Sequence, residues 1–155
     1  MMFVIRDRIH VMAPIERCFL LSTHVDLVAR TIGMKPVTGR ASGLVKAADR
    51  VVWRGWKFGM PQRHESRVTG YSAPTFFQAR MAQGRFEVFR HDHKFIEIGG
   101  QVLMEDTVQF ALPLGSVGRL VGRHVLIPHI RRLMRRRFAL LKQVAESEEW
   151  RAYLG

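Results

Sequence analysis

Cysteine is almost absent from this 155-residue chain, which contains only Cys18. A single thiol cannot form an internal disulfide, so nothing in the chain requires an oxidising compartment. Long apolar runs are also missing, and no stretch reaches the ~20 apolar residues that span a bilayer. Arg6, Asp7 and Arg8 interrupt the start of the chain before the core of a secretory signal could form. We therefore expect a cytoplasmic protein that is neither exported nor membrane-spanning.

Acidic residues are scarce relative to basic ones. The chain has 13 Asp and Glu against 25 Lys and Arg, which gives a formal net charge of +12. Because of this excess of positive charge, the protein is expected to attract polyanions. The hydrophobic fraction of 47% excludes a disordered chain and is sufficient for one well-formed core. We expect one compact domain over residues 1–155.

The first two thirds of the chain are rich in strand signals. Alternating apolar and polar residues predict strand one over 2–12, and apolar residues at helical spacing after Pro14 predict two short helices, broken near Ser22-Thr23. Six further strands are predicted at 41–47, 50–58, 63–70, 75–82, 85–97 and 101–112. The connections between these strands are too short for crossover helices, so all seven strands are expected to form one antiparallel sheet.

The last third is helical in spacing. Residues 116–147 have apolar side chains along one side, and Pro128 predicts a kink or a restart within them. This is the only element long enough to cover the apolar face of the sheet. The prediction is an α+β fold in which a seven-stranded curved antiparallel sheet wraps a long C-terminal helix, with two short helices after strand one. A curved sheet grips a cylinder along its rims, so a cavity is expected between them.

The Gly99-Gly100 pair predicts the register of the last hairpin. If these glycines form the turn, His93 lies opposite Asp106, with Cβ atoms ~5 Å apart. The flanking opposed pairs are apolar or nearly so: Phe95 with Met104, His91 with Val108, and Phe89 with Phe110. The apolar residues must face the core, so His91, His93 and Asp106 are expected to point into the cavity with them.

The register of strand 75–82 is less determined. A two-residue turn at Gln83-Gly84 would turn Phe76 and Gln78 inward, whereas Phe77, Ala79 and Met81 form the better apolar row. A β-bulge near 88–89 would reconcile the two patterns. We predict that bulge.

The cluster of His91, His93 and Asp106 has four interpretations. The favoured one is a structural network that satisfies its own hydrogen bonds inside the core. The second is a polar anchor for the head of an amphipathic ligand, and the third is general acid/base catalysis in which Asp106 orients His93. The fourth is a metal site with two histidines and a carboxylate, ranked last because the two histidine Cα atoms are roughly 7 Å apart along the strand. No metal or other cofactor is expected.

Other residues complete the candidate ligand site. Trp53 and Trp56 lie on opposite faces of one strand, so one of them should line the cavity. Cys18 is expected to be a small buried residue rather than a nucleophile. The candidate lining residues are Phe19, Trp53, Phe77, Met81, Phe89, His91, His93, Phe95, Met104, Asp106, Val108, Phe110, His124, Ile127 and Met134.

The terminal helix carries eight basic residues, namely Arg119, Arg123, Arg131, Arg132, Arg135, Arg136, Arg137 and Lys142. They could attract phosphate groups, but a solvated helix surface is the favoured interpretation. Sites that bind nucleic acid usually add aromatic side chains to the basic stripe, and the aromatic residues here are expected to face the core. Nucleic acid is therefore not expected as a partner. A weak contact with an anionic membrane surface is a secondary expectation.

The order of elements and several short segments resemble the SRPBCC superfamily of START-related and polyketide cyclase-like proteins, which have the helix-grip fold. The segments are Trp53-Arg54-Gly55, Phe58-Gly59, 74–77, Gly84-Arg85-Phe86, 91–95, Asp106 and 112–115. The chain is most similar to the small bacterial single-domain branch, which includes the extra domain of some sugar-epimerase-like proteins once labelled cell-division inhibitors.

The resemblance implies a pocket rather than a reaction. Members of the superfamily bind lipids, sterols, polyketides or plant hormones in a central cavity, and some cyclise, dehydrate or oxygenate what they hold. This branch has no catalytic set to carry over. We therefore expect binding of a small hydrophobic or amphipathic molecule, and the alternative is a cyclase or dehydratase that uses His93 and Asp106 as acid and base. The oligomeric state is left open.

Overall fold

The computed structural model describes residues 1–155. Its elements are β1 (Phe3–Val11), α1 (Ile15–Ser22), α2 (Val25–Ile32), β2 (Lys35–Gly39), β3 (Arg50–Lys57), β4 (Met60–Ser72), β5 (Phe76–Gln83), β6 (Val88–Ile98), β7 (Gln101–Ala111), α3 (Gly115–Val121), a π-helical turn (Gly122–Leu126), α4 (Ile127–Glu146), a 3₁₀ turn (Glu148–Trp150) and α5 (Arg151–Leu154).

The seven strands form one antiparallel sheet in the order β1-β7-β6-β5-β4-β3-β2. The concave face of this sheet holds α4, and α1 and α2 follow the first strand. The predicted helix-grip architecture is therefore confirmed. No helix of the protein combines the length and the apolar content needed to cross a membrane.

The second strand lies earlier in the chain than predicted. Residues 41–47 form an irregular segment with one isolated bridge, between His24 and Leu44, and the strand itself is β2. Strand β2 contains Pro36 and is an edge strand, where a residue without an N–H group is tolerated. The next turn is also shifted: Phe58 and Gly59 both have positive φ and form a two-residue hairpin turn, so β4 begins at Met60.

The β6–β7 hairpin has the predicted register along its whole length, including His93 opposite Asp106. The predicted bulge near 88–89 is wrong, because Val88 and Phe89 pair regularly with β7. The pairing of β5 with β6 ends instead at Arg80 and Arg90, and a long connection replaces the tight turn. This longer connection gives Phe77 and Ala79 the inward orientation that the bulge had been invoked to explain.

Helix α4 packs on the sheet through an apolar stripe of Ile130, Met134, Phe138, Leu141 and Val144, all of which are buried. The lower part of the stripe joins Phe19 of α1 and the rings of Phe77 and Phe95 in the largest core cluster. The upper part meets Phe3, Val108 and Phe110 in a smaller cluster. Apolar burial along both halves of α4 thus holds the helix against the sheet.

A wide helical turn precedes Pro128. Proline lacks an N–H group, and its ring collides with the carbonyl four residues earlier in a regular α-helix. The π-helical turn at Gly122–Leu126 opens the backbone at this point, which confirms the predicted irregularity. Gly122 is required there by a close approach, because a Cβ atom at this position would lie 2.4 Å from the buried ring of Phe3.

The variant Gly122→Ala should therefore be destabilised by about 1–3 kcal/mol, since the Phe3 ring is stacked on Phe110 and cannot move away freely. In a helix without this contact, the same change would be stabilising by roughly 1 kcal/mol, so the sign of the effect is diagnostic. Chemical denaturation measures it. Ser116→Ala, an exposed change on α3, is the control, and a more stable Gly122→Ala protein would contradict the proposed contact.

Candidate functional site

A cavity of about 580 Å³ lies between the concave face of the sheet and α4. Of its 36 lining residues, 22 are hydrophobic, so its wall suits apolar ligand surface. The lining residues come from the strands β3 to β7, from α2 and α4, and from the segment that joins α3 to α4. This is the hollow that the mismatch between a curved sheet and a cylinder predicts.

The structure places seven of the predicted residues at the cavity wall: Trp53, Phe77, Phe89, His91, His93, Val108 and Met134. The other eight do not line it: Phe19, Met81, Phe95, Met104, Asp106, Phe110, His124 and Ile127. Of the two tryptophans on β3, Trp53 faces the cavity and Trp56 lies on the outer face with 71% exposure. Contact of these residues with a ligand stays a prediction.

Five of the eight predicted residues that do not line the cavity fill the core instead. Phe19 of α1 packs edge-on against Phe77 and Phe95, with ring centroids 5.6 and 5.3 Å apart, and Met104 joins the same cluster. Phe110 and Ile127 pack with Phe3 under the wide turn. Helix α1 therefore closes one end of the grip with solid packing, and the cavity occupies the other end.

Local geometry keeps Met81 and His124 away from the cavity wall. Met81 lies beyond the last β5–β6 pair and is opposite Ser66 of β4, where it is partly exposed. His124 lies in the π-helical turn and points to solvent, whereas His129, one turn later, lines the cavity. An extra residue in a helical turn rotates the positions before it relative to those after it, so a regular helical projection misplaces His124.

His64 also lines the cavity, although it was not among the predicted site residues. His64 alternates with the outward-facing Arg63 and lies opposite Trp53 in the β3–β4 pairing. A turn at Phe58-Gly59 sets the alternation along β4, and from that turn the sequence would have predicted that His64 faces inward. Burial lowers the pKa of His64 to about 4, so the cavity sees a neutral imidazole at this point.

Asp106 is the centre of the polar cluster and is only 2% exposed. Its Oδ2 atom accepts a hydrogen bond from Arg137 Nη1 at 2.7 Å and lies 3.0 Å from His91 Nε2. His93 Nδ1 lies 3.2 Å from Asp106 Oδ1, but the two atoms are not aligned for a hydrogen bond and neither has another partner. An ionised carboxylate only accepts, so His91 must present its Nε2–H to Asp106.

Arg137 was expected on the solvated surface of the helix, and this expectation is wrong. Its residue exposure is 6%, and its guanidinium is bound to Asp106 and to the carbonyl oxygen of Ser22. The sequence contains a signal for this position, because Arg137 repeats the spacing of Ile130, Met134 and Leu141 on the buried face. A lone arginine in an apolar stripe predicts a buried acidic partner.

The ion pair determines the charge state of the cluster. Burial by itself would raise the pKa of the Asp106 carboxyl, but the histidines and Arg137 outweigh burial and hold that pKa well below its usual range. Burial lowers the pKa of His93 to about 3, even though the Asp106 carboxylate acts in the opposite direction. At neutral pH the floor of the cavity therefore carries one negative charge, one positive charge and a neutral His93.

The rings near the carboxylate form a stack. Phe77 lies over His93 with centroids 4.1 Å apart, and His91 follows at 3.8 Å from His93. His91 is the more open of the two histidines, with 17% side-chain exposure against 6% for His93. A ligand group in the cavity would meet His91 first, held in position by its bond to Asp106.

The same residues provide the donor set of a metal site. One donor atom from each of His91, His93 and Asp106 lies within 4.8 Å of the others, so the separation of the Cα atoms does not prevent the side chains from converging. The arrangement nevertheless does not fit a divalent cation, because Arg137 already places a positive charge on Asp106 Oδ2. These residues suit an internal ion pair with a positioned histidine.

Comparisons with known proteins show the fold but no sequence relative. No family model matches the chain, and no curated protein matches it. Among solved structures, the Zhui aromatase/cyclase from Streptomyces sp. R1128 is 11% identical with a TM-score of 0.75, and the match covers 94% of each chain. A START superfamily protein from Mycobacterium smegmatis is 11% identical with a TM-score of 0.67, covering 91% of this chain and 98% of that one.

Norcoclaurine synthase from Thalictrum flavum, solved in complex with dopamine and hydroxybenzaldehyde, is 8% identical with a TM-score of 0.66. The match covers 93% of this chain and 87% of the synthase. The chain therefore has the same helix-grip fold as these solved structures. At such low identities the comparisons establish the fold and leave the activity open.

Stability should fall as the pH is lowered from about 6.5 to 4. The folded-state pKa values of His93 and His64, about 3 and about 4, lie below the ~6.5 of an unfolded histidine, so only the unfolded chain gains these protons in that range. Each histidine contributes a slope of up to about 1.4 kcal/mol per pH unit. Denaturant titrations of His93→Gln should show a flatter slope, and an unchanged slope would contradict the buried neutral state.

Replacing Asp106 by Asn should destabilise the protein by about 3–5 kcal/mol, because Arg137 would remain buried without a counter-charge. Denaturation midpoints measure the loss. Glu148→Gln, which removes an acid from an exposed pair with Arg151, is the control and should leave the midpoint unchanged. The double variant Asp106→Asn/Arg137→Met should recover much of the loss, and a small effect in Asp106→Asn alone would show that the pair is dispensable.

Proposed function

We propose that residues 1–155 form one domain that binds a small hydrophobic or amphipathic molecule in the cavity between the sheet and α4. The observation that carries this proposal is a hollow of about 580 Å³ with a mostly apolar wall and one polar cluster at its floor. A ligand that buries ~300 Å² of apolar surface there would gain roughly 7 kcal/mol before the costs of association. Micromolar binding needs about 8 kcal/mol net of those costs, so a larger buried area or polar contacts must supply the rest.

Two polar regions would orient such a ligand. His91 offers a hydrogen-bonding group at the floor, fixed by Asp106. Lys57, Arg63 and Arg85 border the cavity elsewhere, with no carboxylate paired to them. An aromatic or aliphatic body with an acidic or hydroxyl group at one end therefore matches the wall better than a purely apolar molecule.

The protein is proposed to act in the cytoplasm, with a weak contact to an anionic membrane surface as a second partner interaction. Burial raises the pKa of the Cys18 thiol to about 11, so the only cysteine is an unreactive core residue.

At the border of the cavity Phe58, Val121 and Val125 are 54%, 41% and 43% exposed, beside the ammonium of Lys57. Exposed apolar groups next to a cation suit the surface of an anionic bilayer.

The alternative function is an enzyme of the cyclase or dehydratase kind, and the geometry changes the residues assigned to it. His93 has little access to the cavity, whereas His91 lines it and is bonded to Asp106. A carboxylate that orients an accessible histidine is the arrangement used for general acid/base catalysis. In this alternative His91 would transfer the proton, with Asp106 as its positioning residue.

Ala79→Phe tests the binding proposal, because Ala79 lines the cavity opposite His91 and a phenyl ring there would fill part of it. Binding of 8-anilinonaphthalene-1-sulfonate, followed by fluorescence, should weaken at least tenfold. Ala82→Phe is the matched control on the same strand, at an exposed position outside the cavity, and should bind the probe as the natural protein does. Equal affinities in both variants would overturn the cavity as the binding site.

Native mass spectrometry of the protein from its own host separates the two functions. A co-purifying small molecule that is released unchanged supports a binding protein. A molecule that is converted by the natural protein but not by His91→Gln supports the enzyme. Absence of any bound species, combined with unchanged probe binding in Ala79→Phe, would contradict both.

A further inference from the structure

The outer face of the sheet carries a second hollow, which the ligand-binding proposal does not use. It is an open depression of about 800 Å³ over β2, β3 and β4, lined by Gly33, Lys35, Val37, Arg54, Gly55, Trp56, Pro61, Gln62, Arg63 and Arg85. Gln62, Arg63 and Arg85 also border the cavity on the inner face, whereas Lys35, Arg54 and Trp56 belong to the outer hollow alone. These three residues therefore allow the outer surface to be tested separately.

Three cations lie side by side across this hollow. The strand register sets Lys35 opposite Arg54, and Arg54 opposite Arg63. Directly opposed like charges destabilise a sheet, and adjacent strands are only ~5 Å apart. Binding of a negatively charged partner would offset the repulsion within this row.

No acidic side chain compensates this row. Arg63 donates to the amide oxygen of Gln83 and Arg85 to the carbonyl oxygen of Pro61, while no ion pair of the protein includes Lys35 or Arg54. Arg50, at the start of β3, is different because it is paired with Glu65. The cations of the hollow therefore have no paired carboxylate.

Trp56 provides a flat apolar surface beside these cations. Its exposure of 71% is exceptional for a tryptophan within a strand. Arginine stacking does not cover its ring, because the two arginine–tryptophan stacks of the protein are both on Trp150. An exposed aromatic ring beside guanidinium groups is the arrangement that stacks a nucleobase and holds its phosphates.

The basic surface continues beyond one nucleotide's reach. Arg67 lies four residues after Arg63 on β4, which is roughly 13 Å along the strand, and Arg80 of β5 lies opposite Arg67. Arg67 has no carboxylate partner, and Arg80 donates only to the amide oxygen of Gln78. A strand of several phosphates can contact both rows, whereas a free nucleotide can contact only the first.

We infer that the outer face of β2, β3 and β4 binds single-stranded nucleic acid, with a base stacked on Trp56 and phosphates held by Lys35, Arg54 and Arg63. The terminal helix lacks the aromatic residue that such a site needs, and the outer face supplies it. A membrane fits less well, since Val37 and Pro61 are the only other apolar side chains in the hollow. This inference does not depend on the cavity or on its ligand.

Trp56→Ala is the first test, with a short fluorescein-labelled oligothymidylate as the probe and anisotropy as the readout. Loss of base stacking should weaken binding by roughly 5- to 150-fold, whereas Trp56→Phe, which keeps an aromatic face, should retain most of the affinity. Binding of 8-anilinonaphthalene-1-sulfonate in the cavity should be unaffected in both variants. Equal oligothymidylate affinity in the natural protein and in Trp56→Ala would overturn the inference.

The second test is the salt dependence of binding. Lys35→Gln/Arg54→Gln should reduce the slope of log affinity against log salt by about 1.4, because each phosphate contact on a single strand contributes about 0.7. Arg132→Gln/Arg136→Gln removes the same charge from exposed positions of α4 and should change the slope far less. Both pairs are exposed, so folding should survive, and thermal melts verify it.

Three outcomes would contradict the assignment. Adenosine monophosphate that binds as tightly as the oligonucleotide would show a site for a free nucleotide. Polyphosphate that matches the oligonucleotide in affinity, with no dependence on Trp56, would show unspecific attraction of charge. Loss of binding in the α4 variant but not in the outer-face variant would place the anionic partner on the helix.

Discussion

The buried ion pair between Asp106 and Arg137 is the constraint on which the rest of the site depends. It ties the middle of α4 to the middle of β7, and a buried charge left without its partner would destabilise the protein severely. Arg137 takes a position in the apolar stripe of α4 that a leucine would otherwise fill. The helix therefore keeps a fixed distance from the sheet, and His91 acquires a carboxylate that orients it.

The two ends of the grip are built differently, and this difference locates the cavity. At one end Phe19 fills the space between the sheet and α4 with edge-on aromatic contacts. At the other end β3 and β4 carry Trp53 and His64 inward, and Trp53 packs with Val25 of α2 in a smaller cluster beside the cavity. The polar cluster lies where solid core gives way to hollow, so a ligand would find apolar wall on one side and a neutral His93 with an oriented His91 on the other.

The sequence was sufficient wherever a local rule determined long-range geometry. The Gly99-Gly100 turn gave the register of the last hairpin, and with it the inward direction of His91, His93 and Asp106. It was insufficient where tertiary context overrode the local rule. The edge strand β2, which contains Pro36, was not among the predicted strands, and Arg137 was expected to be solvated because its partner lies 31 residues away in the sequence. Alternation alone could not reveal that three outward cations align across three strands.

The position of β1 at the edge of the sheet has a consequence for how the chain acquires this fold. Its one sheet neighbour is β7, and its next contact is α4, so β1 pairs with a strand that follows it much later in the chain. Such distant pairings slow folding, because the loop-closure entropy is lost before the contacts form. During synthesis β1 has no strand partner until β7 has been made. The domain thus closes late and as a whole, rather than growing from its beginning.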